Sequence, residues 1–514
     1  MASHSYFLAL PLEIRTSIYQ YYVLEEDGYH YHYQPGKTGK LSTSNYRPIN
    51  LALMYTCRSV AAEMRGVALG TNIVIFKTMD LGIETEQMDP AALNYLTHVL
   101  SRWKEYVVFT AIRVGRFSPD LISKIACKFP QYEAVLEKFS TGRIDYTSET
   151  NFSWGQAGSV HRSFVDYTVE CLSKLSDFRR LLGSDATYRG PETYPENDMP
   201  DSLMFWNEKP WSLFPASKAN TGIVSEAMDH FEDSSSEHFE RFFEYRFSAA
   251  AAAITCLQSM SLGTRLQIRN ISLREDRQAV AYPESHALGL IPFCVENERL
   301  RIERQVSLWR NAFPAGACMI GQIMQYDYWI GRGSPFLDFE GRDKLLASDV
   351  SSSFNVWIKE ALALCPAGMP RNSFSLVFDG DPSPDQSSEV FERVKRDAAW
   401  QVAQDQWYAE RGITPSFLEE RNTNNYCYHF ESFPKAIKDI VEGKSFIRCN
   451  FPVGVLWNAM EVLNENRECS LEEWSSRWKS EYEPQCIETR PPLPVWLDLR
   501  YEQVAESRRK PAGT

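Results

Sequence analysis

The sequence predicts an α+β, helix-rich fold: a small helical module at the N-terminus and a large mixed α+β body behind it. Two observations lead there. Apolar residues recur at helical spacing in several long stretches, and short β-branched or strictly alternating runs lie between them. Composition is the third: 44% hydrophobic and 24% charged over 514 residues is an ordinary globular balance, with ample chain to bury a core. A net charge of −13 leaves no long-range positive field to gather phosphate backbones, so nucleic acid is not expected as a partner.

Pro11 suits the first turn of a helix, Glu13 favours its positive end, and Leu10, Ile14, Ile18 and Tyr21 follow at helical spacing. The polar stretch from Glu25 to Tyr46 contains Tyr29-His30-Tyr31-His32-Tyr33 in strict alternation and the turn-like Pro35-Gly36-Lys37-Thr38-Gly39, which predicts a hairpin. Asn50 can cap a second helix carrying Leu53, Met54, Cys57, Val60, Ala61, Met64 and Val67 and ending near Gly66 or Gly70. The β-branched run from Thr71 to Phe76 reads as a strand, completing a module over 1–80.

The body is expected over 81–490. Helical spacing marks 91–111 and 161–182, and the Pro-, Gly-, Asp- and Ser-rich stretch 183–216 is a loop or linker at which the body could divide. A helix is expected from Ser236 to Met260, and the alternation from Thr264 to Ile271 predicts a strand. Asp379 to Asp385 is an exposed loop followed by a charged helix to Arg411, and Ser470 with Glu473 forms a capping box for a last helix. Pro491-Pro492-Leu493-Pro494, with Ser507-Arg508-Arg509-Lys510 beyond it, predicts an extended arm over 491–514 ending in a basic tail.

Catalytic signatures fail one by one. Gly36-Lys37-Thr38 would need a glycine where Tyr31 stands, and Gly331-Arg332-Gly333 meets Phe336 where a dinucleotide loop needs its third glycine. No G-x-S-x-G, H-E-x-x-H or Cys-x-x-Cys occurs, so no catalytic, cofactor-binding or metal-binding residue is assigned. Weaker pairings remain. His30 and His32 share one face of an extended segment, Cys427 and His429 are two apart, Asp379, Asp381 and Asp385 crowd one loop, and Ser285 adjoins His286. They keep open a metal-assisted hydrolase or transferase built on Asp379, Asp381 or His429, although the sequence leans toward a non-enzyme.

The first fifteen residues meet Pro11, Glu13 and Arg15 before an apolar run can form, which argues against a secretory signal, and no window is apolar enough for a membrane helix. Eleven scattered cysteines suit reduced thiols, so an intracellular protein of the cytoplasm or nucleus is expected.

Leu10-Pro11-Leu12-Glu13-Ile14-Arg15 through Tyr19, then Thr56-Cys57-Arg58 through Glu63-Met64, then Asn72 to Phe76, resembles the fungal F-box-like proteins of unknown function in its LPxEIRxxIY, TCRxVxxEM and NxxxF elements. The likeness covers about one seventh of the chain. It implies a helix pair that docks a Skp-type adaptor of a cullin ubiquitin ligase through Leu10, Pro11, Glu13, Ile14, Ile18, Met54 and Val60, leaving the body to recognise a protein substrate. The insertion from Glu25 to Tyr46 and the strand in place of a closing Leu-Trp depart from that pattern. The alternative is that these helices are core elements of a self-contained globular protein, and burial of Leu10, Ile14 and Ile18 separates the two.

Overall fold

The structure, a computed structural model, describes residues 6–34, 37–80, 90–141, 155–176, 178, 209–211, 246–316, 344–413, 428–480 and 486–502. Its centre is a seven-stranded sheet of β1 (Tyr29–Gln34), β2 (Lys37–Ser42), β3 (Ile73–Lys77), β4 (Asn270–Glu275), β5 (Arg301–Ser307), β6 (Phe374–Asp379) and β7 (Ile447–Cys449). The strands lie in the order β7-β6-β5-β4-β3-β1-β2. Every neighbouring pair is parallel except the β1–β2 hairpin. From β3 to β7 each new strand is laid on the same side of the last, and right-handed crossovers wound in one direction put their helices on a single face of a sheet.

Burial follows that rule. Val74 and Phe76, Ile271 and Leu273, Ile302 and Val306, Leu376 and Phe378 share one face and are all buried. Helices Ala249–Ser259, Ala347–Leu364, Pro384–Glu410 and Phe433–Val441 contribute to the same core. The run Ala249 to Ala253 is fully enclosed, since methyl side chains let a helix lie close against β3 and β4. Ser248 caps this helix by accepting from the Ala251 N–H at 3.0 Å.

Beneath the same helix end lies a buried polar knot. Glu275 on β4 accepts from the Ala249 and Ala250 amides at 2.9 and 3.2 Å and pairs with Arg304 of β5 at 2.6 Å. The Arg304 guanidinium also donates to the carbonyls of Pro283 and Glu284 and lies over the Trp357 ring. Two further cores complete the body. Helices Pro90–Arg113, Pro119–Lys128, Glu133–Thr141 and Gly158–Leu172 pack around Trp103, Tyr132 and Phe164. Trp400 and Trp407 of Pro384–Glu410 meet Trp474 and Trp478 of Leu471–Ser480.

The mixed, helix-rich class is as expected, and among the described residues no helix is long and apolar enough to cross a membrane. The first helix, α1 (Leu12–Val23), the hairpin and the strand after it stand near their predicted places. The Ser470–Glu473 capping box forms reciprocally, at 2.8 and 3.2 Å. Other elements differ. The second helix is broken into a 3-10 turn at Ala52–Tyr55, α2 (Arg58–Glu63) and α3 (Val67–Thr71), because Cys57 is extended and Gly66 takes a left-handed φ of +80°. The strand expected over 264–271 begins only at Asn270, since Ser261 caps a helical turn, Leu262–Arg265, that uses up its first residues. The helix expected from Ser236 is described from Ala249, and 212–245 lies outside the described residues. The predicted C-terminal arm folds back as far as it is described: Leu493, Trp496 and Leu499 are buried in the main core, while the basic tail lies outside the described residues. The N-terminal module does not stop at residue 80 as a separate unit either, because β3 pairs with β4 along its whole length and carries β1 and β2 into the body's sheet.

Candidate functional site

On α1 the side chains divide into two sets. Tyr19 and Val23 point inward and, with Val60 and Met64 of the broken second helix, form a small core of their own. Arg15 leaves the same side and grips Glu63 through two hydrogen bonds, Nε to Oε2 at 2.8 Å and Nη2 to Oε1 at 2.7 Å. The Tyr19 hydroxyl donates to Glu63 at 2.8 Å, and Arg15 also donates to the carbonyls of Leu8 and Leu10, tying the chain ahead of α1 to its first turn. The guanidinium beside it holds the Glu63 carboxyl down to about 2, far below its usual range. At the other end Asn72, 2% exposed, donates to the carbonyls of Val23 and Ala68 and accepts from the Glu25 N–H, fastening α1 and α3 to the start of β3.

The second set faces solvent. Leu10 stands just ahead of α1, and Ile14, Ile18 and Tyr21 on it fall within an arc of about 60° at 3.6 residues per turn. Their exposures are 38%, 50%, 38% and 84%. Leu8 and Leu12 beside them are also exposed, as are Pro11 and Glu13. Of the seven residues singled out from the sequence, Leu10, Pro11, Glu13, Ile14 and Ile18 are thus on the surface and Met54 is half-buried. Val60 is corrected to an interior position: at 3% exposure it supports the helix pair from within. Sequence spacing identified the stripe, because the apolar arc is wider than the inner core needs, but it gave no means of telling which part would be covered.

The weaker chemical pairings are accounted for separately. His30 and His32 share one face of β1 with ring centres 6.3 Å apart, and the His30 Nε2 lies 3.2 Å from the Asp27 carbonyl. Asp379 accepts from Asn450 at 2.6 Å and from the Asp381 amide, so its carboxylate is spent on shaping its own turn. His429 packs on Phe433, and burial pushes its imidazole down to about 3. Cys427 lies outside the described residues. Among the described residues no cluster of three or more His, Cys, Asp or Glu is placed to hold a metal.

Ser285 and His286 do not form a nucleophile and base. The Ser285 hydroxyl donates to the Tyr282 carbonyl, whereas His286 turns away, its Nδ1 2.7 Å from Ser248 and its Nε2 2.8 Å from the Ala281 carbonyl. The second bond fixes the proton on Nε2, and burial pushes His286 down to about 3, so a neutral imidazole holds the start of the Ala249–Ser259 helix. Ser285 also lines a cavity of about 170 Å³ with Lys104, Ser159, Arg162 and Trp211. There Lys104 pairs with Asp166 at 2.6 Å, Arg162 stacks on Tyr282 at 3.9 Å, and Ser159 donates twice to Glu360, which builds a structural joint.

Set against known proteins, the chain matches no family model, no curated protein and no solved structure. The reading of its function therefore rests on its own residues. Of those that resemble the F-box-like pattern, Arg15, Tyr19, Val60, Glu63, Met64, Asn72 and Phe76 are held by internal contacts. Leu10, Ile14 and Ile18 stand exposed.

Proposed function

We propose that this chain is a non-enzymatic protein-interaction protein whose first helix docks a partner, in the F-box-like reading a Skp-type adaptor of a cullin ubiquitin ligase, while the body receives a protein substrate. The observation that carries it is the exposed pair Ile14 and Ile18, with Leu10 just ahead of them, on a helix already anchored from its other side by Tyr19, Val23 and Arg15. An apolar stripe left uncovered by its own chain is what a docking helix requires.

The test is binding of a purified Skp-type adaptor to the intact chain, measured by calorimetry, against the double variant Ile14→Asp/Ile18→Asp. Loss of two central apolar anchors weakens such an interface by about 30-fold or more. Far-ultraviolet circular dichroism of the variant should stay unchanged. Failure of the wild-type chain to bind, or equal binding by a folded variant, removes the adaptor reading. Point variants are the appropriate tool: deleting residues 1–80 would strip three of seven strands and leave β4 as a bare edge, open to aggregation.

A further inference from the structure

Where two helices pack, the residues that recur every three or four positions on their facing sides are ordinarily apolar. Two neighbouring helices of the body depart from that rule at one place. Gly158–Leu172 lines the cavity of about 170 Å³ with Ser159, Arg162, Ser163 and Asp166. Pro90–Arg113 lines it from the other side with Thr97, Leu100, Ser101 and Lys104. Each set stands at i, i+3, i+4 and i+7, a single helix face. The space between them is many times what one water needs. Ser163 and Lys209 on its lining are exposed, so it opens to solvent on their side.

Several polar groups of this cavity are engaged within the protein. Lys104 pairs with Asp166, Ser159 gives both its amide and its hydroxyl to Glu360, and the hydroxyls of Ser163 and Ser285 donate to the carbonyls of Ser159 and Tyr282. Arg162 is not. Among the described residues its guanidinium makes no hydrogen bond or ion pair, and its Nη2 is buried without a partner. What holds it is the Tyr282 ring, 3.9 Å from its Cζ, presented by left-handed φ angles of +60° at Ala281 and +59° at Tyr282. A guanidinium seated by its face keeps the N–H fork along its edge available. The acids nearest it do not take that fork: Glu360 commits both oxygens to Ser159, and burial pushes the Glu284 carboxyl up, toward its neutral form. A buried donor left unpaired is unfavourable unless something outside the chain meets it. Lys209 at the mouth likewise has no acid partner among the described residues. The lining thus sets three cations against one acid, in a chain whose net charge is −13.

We propose that this cavity receives a small hydroxylated phosphomonoester, its phosphate on the Arg162 fork with Lys209 at the mouth. A phosphate close to its dianionic form matches the two cations that no carboxylate engages, and its terminal oxygens suit a bidentate guanidinium together with an ammonium. The hydroxyls of Ser159, Ser163 and Ser285 already donate inside the protein, so what they have left is lone pairs. They recognise groups that donate, which the hydroxyls on the organic part of such an ester supply. The site shares no residue with α1 and does not depend on the docking reading.

Isothermal titration calorimetry of the full chain with glycerol 3-phosphate tests it, with inorganic phosphate, glycerate and glycerol as comparison ligands. The wild type should bind glycerol 3-phosphate more tightly than inorganic phosphate or glycerate and should not bind glycerol. Arg162→Gln should weaken binding about tenfold or more, and Arg162→Lys, which keeps the charge without the fork, should weaken it less. Lys435→Gln removes an exposed charge outside the cavity lining and should leave binding intact. Should Arg162→Gln fail to fold, Lys209→Gln at the exposed mouth carries the same test, with an expected loss of about threefold. No binding by the wild type, equal binding by a folded Arg162→Gln chain, equal affinity for inorganic phosphate, glycerate or glycerol, or the same loss in Lys435→Gln overturns the proposal. Adaptor binding by Arg162→Gln should be unchanged, so failure of this inference and failure of the docking reading are separately visible.

Discussion

The helices Leu12–Val23 and Ala249–Ser259 are of nearly equal length, twelve and eleven residues, and both carry more apolar surface than one narrow contact needs. In the second, Ala249 to Ile254, Cys256 and Leu257 are all buried, pressed between the sheet and the helices beside it. In the first, only Tyr19 and Val23 are buried, and Ile14 and Ile18 remain in solvent. The polar anchors differ in the same sense: Glu275 and Arg304 behind the second helix are enclosed, whereas Arg15 and Glu63 beside the first keep 13% and 17% of their side-chain surface. An apolar stripe therefore specifies that something must cover a helix, and only the surrounding fold decides whether the cover belongs to the same chain.

The largest effect should come from placing a charge on the covered helix. Ala252→Asp buries an unpaired carboxylate and should cost more than about 4 kcal/mol, leaving little soluble protein on expression. A folded, soluble Ala252→Asp chain would break the contrast at once. Arg304→Met strands the Glu275 carboxylate and should cost about 3–5 kcal/mol in urea unfolding, and a change under about 1 kcal/mol would show that the knot is not a support.

Acid should separate the two regions next. His286 and His429, ordinarily near 6.5, are held down to about 3 by burial, so the unfolded chain takes up their protons first. Their contribution is complete above 6.5 and is lost as pH falls from there towards 3. Glu63, depressed to about 2, contributes above about 4.5 and loses that only as pH falls towards 2. The urea midpoint should thus begin to fall near pH 6.5, and His429→Phe, which fills the place beside Phe433 without a titrating group, should flatten the decline. An unchanged slope in that variant would remove His429 from the account.

Within the N-terminal module, Val60→Ala opens a small cavity and should cost roughly 1–3 kcal/mol. The smallest effect belongs to Ile14→Asp, on the exposed face and in the first turn of α1, which should stay within about 0.5 kcal/mol of the wild type in thermal unfolding. A loss there as large as at Val60 would mean that the stripe is covered after all.

Local features were legible wherever a short stretch decides the outcome. Alternation in Tyr29 to Tyr33 puts Tyr29 and Tyr31 toward the core and His30 and His32 on the other face, and the Ser470–Glu473 box closes within four residues. The Glu275–Arg304 knot was not legible, since its members are 29 residues apart and meet only when β4 and β5 pair in one register. The Lys77–Arg274 juxtaposition was hidden for the same reason, because the two become opposite only through a pairing across 197 residues. The Pro-rich stretch at 491–494 misled because local stiffness predicts extension, whereas Trp496 and Leu499 have an apolar core within reach. In the exposed stripe of Leu10, Ile14 and Ile18 the residue types could be read and their exposure could not.

The way α1 is mounted sets how anything bound to it is aimed. Its C-terminal end is clamped by Asn72, from which the chain runs straight into β3, and α1 itself leads through residues 24–28 into β1 of the same sheet. There is no swivel in such a joint. Anything bound to α1 would keep one bearing to the sheet, as a tool bolted to a plate does, instead of sweeping a volume as it would on a flexible tether. Inserting one residue after Leu24 would then re-aim it and not loosen it.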